Sequence, residues 1–190
     1  MTLRRVPHDE LIYTVPEALT PAECALWIEH GERVGFDEAP VTTGQGAVMR
    51  PELRNNRRVM IDAPEAAAAL WARLANVAPP PWRERPAIGL NERFRLYRYG
   101  PGERFLPHHD GAYSRPNGER SAWTLMVFLN AVTEGGETRF FRSRSQAPFV
   151  TITPSVGTAL FFLHPILHEG AEVRQGIKYA LRTDVMFAAP

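Results

Sequence analysis

From Glu92 onward, strand-length segments are broken every few residues by turn formers, and this rhythm limits the possible folds more than any other feature of the sequence. Phe94, Leu96 and Arg98 alternate with Arg95, Tyr97 and Tyr99, as in a strand with two unlike faces. Apolar stretches at residues 124–129, 149–153, 157–163 and 179–187 continue the series. Gly100-Pro101-Gly102, Asn117-Gly118, Gly135-Gly136, Pro154 and Gly170 separate them. Many short strands with regular breaks predict an antiparallel sandwich or barrel.

The first third reads differently, as helical and mixed. Thr20-Pro21-Ala22-Glu23 has the form of an N-cap, a proline at the first helical position and a capping acid three residues on. Leu26, Ile28 and Val34 fall loosely on one face after it, and Gly35 is a stop signal. A second helix is expected over about residues 64–75, where Ala67, Leu70, Trp71 and Leu74 recur at helical spacing. Both helices should lie on the outer face of the strands. Residues 41–58 read as strand fragments around a mobile loop, and Pro79-Pro80-Pro81 as an extended connector. The chain is read as one domain over residues 1–190. Residues 1–91 supply helices and a substrate loop, and residues 92–188 a catalytic core.

Composition removes several classes of function. Lys and Arg total 22 against 21 Asp and Glu, a formal charge of +1, so no nucleic-acid or membrane-surface partner is expected. A single cysteine, Cys24, excludes an intrachain disulfide framework and a cysteine-rich zinc module. The longest apolar stretch, residues 158–163, is far below the ~20 residues of a membrane helix. With no targeting segment visible, a cytoplasmic location is the expectation. Oligomeric state is not legible.

The chemistry concentrates around Pro107-His108-His109-Asp110-Gly111. On extended backbone, side chains two apart share a face, so His108 and Asp110 point together and His109 points away. An imidazole and a carboxylate on one face offer a divalent metal two ligands, and a third must come from a distant strand: His164 or His168. Two histidines and one carboxylate on a triangular face leave positions open, the arrangement of oxygen-activating non-haem iron. Lys178 and Arg182 differ by four and share a strand face. A cation inside a barrel is costly unless it meets an anion, and a dicarboxylate would supply one.

Several blocks occur in a fixed order: Arg98-Tyr99-Gly100-Pro101-Gly102, Phe105-Leu106-Pro107-His108-His109-Asp110, Leu129-Asn130, Glu134-Gly135-Gly136-Glu137-Thr138, residues 157–162, and His168-Glu169-Gly170 followed by Val173, Gly176 and Lys178. In this order and spacing the chain resembles the iron(II)- and 2-oxoglutarate-dependent dioxygenases of the prolyl 4-hydroxylase-like type, over roughly residues 94–187. The resemblance implies a mainly β fold with flanking helices, a double-stranded β-helix or cupin-like jelly roll. It implies that His108, Asp110 and His168 are the catalytic iron ligands and that Lys178 pairs with the far carboxylate of 2-oxoglutarate. Tyr99 matches a tyrosine that reaches the cosubstrate, and the Gly135-Gly136 turn looks structural. Phe105 and Phe128 stand where relatives place tyrosines, so the resemblance implies cosubstrate contacts redistributed to Arg182 or Thr124. Fe(II), 2-oxoglutarate, O2 and ascorbate are the cofactors implied.

The activity implied is hydroxylation of an unactivated C–H bond, in a prolyl residue, an amino acid or another small molecule, with release of succinate and CO2. Arg54 and Asn56, in the polar run of residues 54–58, are candidate substrate contacts. Two other readings stand beside it: a jelly roll that binds a metal or small acid without redox chemistry, and a zinc hydrolase on the same three ligands, which lacks an evident general base.

Overall fold

The computed structural model describes residues 2–44 and 46–190. In chain order, β1 (Val6–Asp9) and β2 (Ile12–Val15) precede α1 (Pro21–Val34), then come β3 (Asp37–Glu38), β4 (Val41–Thr43), β5 (Gly46–Val48), β6 (Arg57–Asp62) and α2 (Pro64–Leu74). The strand-rich half holds β7 (Ala87–Leu90), β8 (Arg93–Tyr99), β9 (Phe105–His108), β10 (Arg120–Phe128), β11 (Glu134–Gly135) and β12 (Thr138–Phe141). It ends with β13 (Val150–Ile152), β14 (Ala159–Leu163), β15 (Leu167–Gly170), β16 (Val173–Gln175) and β17 (Lys178–Phe187).

Two antiparallel sheets form the jelly roll. The larger runs β1-β2-β14-β10-β17-β8-β6-β3 with β7 beside β17, and the smaller runs β13-β12-β15-β9. Period-two alternation sorts the larger sheet's side chains. Tyr13, Phe94, Leu96, Trp123, Leu125, Val127, Phe161, Leu181 and Val185 pack in one core with Leu70 and Leu74 of α2 and Cys24 of α1. Their neighbours along the same strands, Met126, Phe128, Leu160, Phe162 and Ala180, pack in a second core with Phe140 and Ile152 of the smaller sheet. The helices therefore cover the outer face, and the space between the sheets is left for the site.

Local signals explain α1. Thr20 Oγ1 accepts from the Glu23 backbone N–H at 3.2 Å, the Glu23 carboxylate accepts from the Thr20 N–H at 2.7 Å, and Gly35 closes the helix. The helical reading of the first third is incomplete, however. β1 and β2 add two strands to the larger sheet through β14, and β6 and β3 add two more through β8. All four β2 residues are buried, so no alternation marked them, and β6 starts inside the polar run. Residues 41–43 and 46–48 pair as a short hairpin, and the remaining part of the expected mobile loop at Gln45 lies outside the described residues. Among the described residues no helix is long and apolar enough to cross a membrane.

The Gly135-Gly136 turn has a steric cause. Gly135 adopts φ +80°, and a Cβ there would come within 2.2 Å of the Glu172 carbonyl oxygen. Gly135→Ala is expected to cost about 2 kcal/mol or more in folding free energy, read as a lowered urea midpoint at unchanged slope. A midpoint equal to wild type would show that the turn can relax.

Candidate active site

Strand pairing brings the site together. β9 and β15 are neighbours, with His108 opposite His168, so two histidines 60 apart in sequence stand side by side at the mouth of the jelly roll. Their ring centroids are 4.3 Å apart. β9 ends at His108, and the Asp110 N–H donates to the His164 carbonyl at 3.1 Å, which turns the Asp110 carboxylate back toward the histidines. The donor atoms of His108, Asp110 and His168 all lie within 4.8 Å of one another, with 3.7 Å between His168 Nε2 and an Asp110 oxygen. His109 is exposed, its Nδ1 3.0 Å from the Pro165 carbonyl, and takes no part in the cluster. His164 is buried 3.6 Å from Asp184, so of the two candidates for a third ligand it is His168 that joins the pair.

The donor set suits a divalent cation. His108 Nδ1 donates to the Leu106 carbonyl at 2.8 Å, and His168 Nδ1 to the Ile166 carbonyl at 2.9 Å. Each bond fixes its ring and leaves Nε2 as a lone-pair donor. Burial holds both imidazoles below their usual pKa, His108 most of all, which keeps them neutral and able to ligate. Burial is the largest single influence on the Asp110 carboxyl and would raise it, but the Arg182 guanidinium, His168, His108 and the Thr124 hydroxyl together outweigh it and hold the group well below the carboxylate range. Two neutral imidazoles and one carboxylate, each oriented by a further bond, are what a first-row divalent metal takes.

Lys178 and Arg182 both face the cavity, as their spacing required. Lys178 is 2% exposed, beside the rings of Tyr99 and Phe128, with its Nζ 5.2 and 5.6 Å from their centroids. No carboxylate pairs with it among the described residues, and burial pushes the ammonium down to about 8. Glu137, the acid that most opposes this shift, is bonded to Arg139 at 3.1 Å. Thr138 also lines the cavity, and its hydroxyl is buried without a hydrogen-bond partner among the described residues. An orphan hydroxyl and an unpaired ammonium in one cavity fit a small carboxylate. Tyr99 is buried, and burial raises its phenol pKa, so it stays a neutral hydroxyl.

Thr124 and Arg182 line the cavity, and both are already engaged by protein carboxylates. The Thr124 hydroxyl donates to Asp110 at 2.5 Å, and Arg182 Nη2 lies 3.1 Å from Asp110 and 3.0 Å from Asp184. Phe105 stacks on His108 with centroids 3.5 Å apart, a packing role that a hydroxyl would not improve. Arg54 lines the cavity, while Asn56 is buried behind it and accepts from Arg54 Nε at 2.7 Å. Asn56 therefore holds Arg54 in place and does not itself reach the cavity. Arg58, Arg95 and Thr138 line the cavity too, and none was singled out from the sequence as a site residue. The signal for Arg95 was present: it shares the Tyr97–Tyr99 face of β8, opposite apolar Phe94 and Leu96.

Comparison with known proteins finds a family match and a shared fold. Residues 94–183 match the 2OG-Fe(II) oxygenase superfamily. This stretch, just under half of the chain, carries that superfamily's pattern. Members of it draw on Fe(II) and 2-oxoglutarate, and the chain is an enzyme of this 2-oxoglutarate-dependent class. Among solved structures it is similar to the viral collagen prolyl hydroxylase of Paramecium Bursaria Chlorella virus-1 in its 2-oxoglutarate complex, at 20% identity over 94% of this chain and 97% of that one, TM-score 0.61. A Pseudomonas putida prolyl-4-hydroxylase is similar at 16% identity over 92% and 91% of the two chains, TM-score 0.62. So is a Trichoplax adhaerens prolyl hydroxylase in complex with a hypoxia inducible factor oxygen degradation domain peptide fragment, at 16% identity over 92% and 82%, TM-score 0.66. These likenesses bear out the jelly roll. No curated protein matches the chain.

Proposed function

We propose that the chain is a hydroxylase of unactivated C–H bonds, that His108, Asp110 and His168 hold its iron, and that Lys178 holds the far carboxylate of 2-oxoglutarate. The observation that carries the reading is the partly buried cluster of two oriented imidazoles and one carboxylate, in one cavity with a buried ammonium that no carboxylate among the described residues pairs. When bound, the metal supplies oxidative decarboxylation of 2-oxoglutarate to succinate and CO2, coupled to oxidation of the substrate.

The protein's share is orientation and shielding. Lys178, with the Tyr99 and Thr138 hydroxyls near it, anchors one end of the cosubstrate and so fixes where its keto-acid end lies. Thr124 and Arg182 hold the Asp110 carboxylate in one orientation. Phe105, Phe140 and Phe162 wall the two histidines with apolar rings, 3.5 Å from His108 and 6.0 and 4.5 Å from His168, and limit water there. In this reading residues 92–188 carry the chemistry and residues 1–91 contribute Arg54 and Arg58 to the substrate side. A small molecule or a peptide fits the reading, as the peptide complex of the Trichoplax enzyme illustrates for that protein.

Anaerobic addition of Fe(II) and 2-oxoglutarate is expected to produce a weak visible charge-transfer band, and admission of O2 to release succinate even without a second substrate. Zinc in place of iron should give neither. A folded protein that binds iron but yields no band would return the chain to the non-redox binding reading.

A further inference from the structure

The cavity is much more basic than its family chemistry requires. Arg54, Arg58, Arg95, Lys178 and Arg182 all line it, against one lining carboxylate, Asp110. Asp184, directly behind, receives Arg95 at 3.3 Å and Arg182 at 3.0 Å. Five cations against these two acids leave an excess of three positive charges, and the chain as a whole carries only +1. A divalent metal and dianionic 2-oxoglutarate cancel one another, so loading the site leaves that excess standing.

The excess is localised. In the register of β17 with β8, Lys178 lies opposite Tyr99 and Arg182 opposite Arg95, so the arginines gather about 13 Å along the strand from the lysine. Arg58 joins them from β6, where it pairs with Tyr97, the residue between Arg95 and Tyr99 on that face. Arg182 and Arg95 have their acids, but among the described residues no carboxylate meets Arg58 or Arg54. Arg54 is 5% exposed and lies over the rings of Tyr97 and Phe105, 4.9 and 4.5 Å from their centroids. Its Nε is bonded to Asn56 and its Nη1 is 3.4 Å from the Pro40 carbonyl, while Nη2 is buried with no hydrogen-bond partner among the described residues. Buried guanidinium groups are rarely left without an anion, because desolvation is not repaid. Planar forks of this kind match carboxylate and phosphate oxygens.

We infer that the substrate is a small organic oxyanion, whose carboxylate or phosphate docks on Arg58 and Arg95 with Arg54 beside them, while its C–H bond faces the His108–Asp110–His168 cluster. This rests on the reading of the site as a 2-oxoglutarate-dependent hydroxylase. A neutral prolyl peptide would leave the arginine end uncompensated. The volume, about 460 Å³, lies within the roughly 300–1,000 Å³ of small-molecule sites.

The test uses the full chain loaded anaerobically with Fe(II) and 2-oxoglutarate, with binding read as a shift of the visible band and by calorimetry. Probes are the free L-amino acids, short mono- and dicarboxylic acids and phosphate monoesters, each beside its methyl ester or parent alcohol. At least one acid is expected to bind about tenfold or more tightly than its neutral counterpart, and whether a carboxylate or a phosphate responds names the group. Arg58→Gln should weaken that acid by about ten- to a hundredfold and bring the acid-to-neutral ratio toward one, with Arg58→Lys in between. Arg58 is half-buried and makes no ion pair among the described residues, so its replacement breaks no salt bridge of the fold, and unchanged melting verifies this. Neutral counterparts binding as well as acids, no acid binding at all, a ratio unchanged in Arg58→Gln, or a loss confined to the 2-oxoglutarate titration would each overturn the inference. Absence of the band itself would instead overturn the hydroxylase reading beneath it.

Discussion

Asp110→Ala is expected to lose iron-dependent succinate release by roughly a hundredfold or more, and to melt at a lower temperature as well. The carboxylate has two tasks. It is the only anionic donor of the cluster, and without it two neutral imidazoles remain for the metal. It is also one of two acids that receive the buried Arg182 guanidinium, at 3.1 Å, the other being Asp184 at 3.0 Å. Breaking one side of a buried ion pair costs about 3–5 kcal/mol, and the lower end applies because Asp184 remains. Asp110→Asn separates the tasks. It keeps the shape and an acceptor for the Thr124 hydroxyl, so it should melt closer to wild type while losing as much activity. The pH dependence follows from the depressed carboxyl. Its stabilisation is fully present above the ordinary aspartate value of 3.8 and is lost as pH falls below that, so Asp110→Ala should show a shallower acid limb than wild type. Wild-type turnover in Asp110→Ala would exclude this residue from the metal site.

The strand-rich half was legible because its side chains alternate between unlike surroundings. On β10, Trp123, Leu125 and Val127 go to the helices while Thr124, Met126 and Phe128 go to the cavity side. That pattern, with glycine-marked turns, is enough to read a sandwich. β2 was hidden for the opposite reason: buried on both faces, it has no alternation to show. The cluster of His108, Asp110 and His168 was legible from a local triplet and an ordered set of blocks. The arginine end was not, since it is assembled by cross-strand register between β6, β8 and β17. Arg54–Arg58 looks like a solvated run in sequence, and only pairing with β8 and β9 turns Arg54 and Arg58 inward. Arg182 illustrates a further gap. Its face on β17 followed from spacing, but its engagement by Asp110 and Asp184 depends on where a loop carboxylate turns.

Lys178→Met should raise the dissociation constant for 2-oxoglutarate by about a hundredfold, yet give a ligand-free protein that melts higher than wild type. Both effects come from one unpaired ammonium. Lys178 is 2% exposed, and burial lowers it from 10.5 to about 8. That displacement corresponds to roughly 3 kcal/mol by which the charged lysine destabilises the ligand-free fold near neutral pH. Because the folded value is below the unfolded one, the destabilisation is full below about pH 8 and fades as pH rises toward 10.5. Methionine fills the same space among Tyr99, Phe128 and Gly136 without the charge. The cosubstrate's far carboxylate supplies the missing anion, so binding draws on the same energy. Wild-type affinity should therefore weaken by up to about tenfold per pH unit above 8, where the free lysine loses its proton, and the methionine variant should show no such slope. Anaerobic titrations of the visible band at about pH 7 and about pH 9, with melting of both ligand-free proteins, measure every term. A methionine variant that holds 2-oxoglutarate as tightly as wild type would move the far carboxylate away from Lys178. The next cation on the same strand face is Arg182, and to receive it Arg182 would have to leave Asp110 or Asp184, at the cost of the carboxylate orientation that the metal cluster depends on.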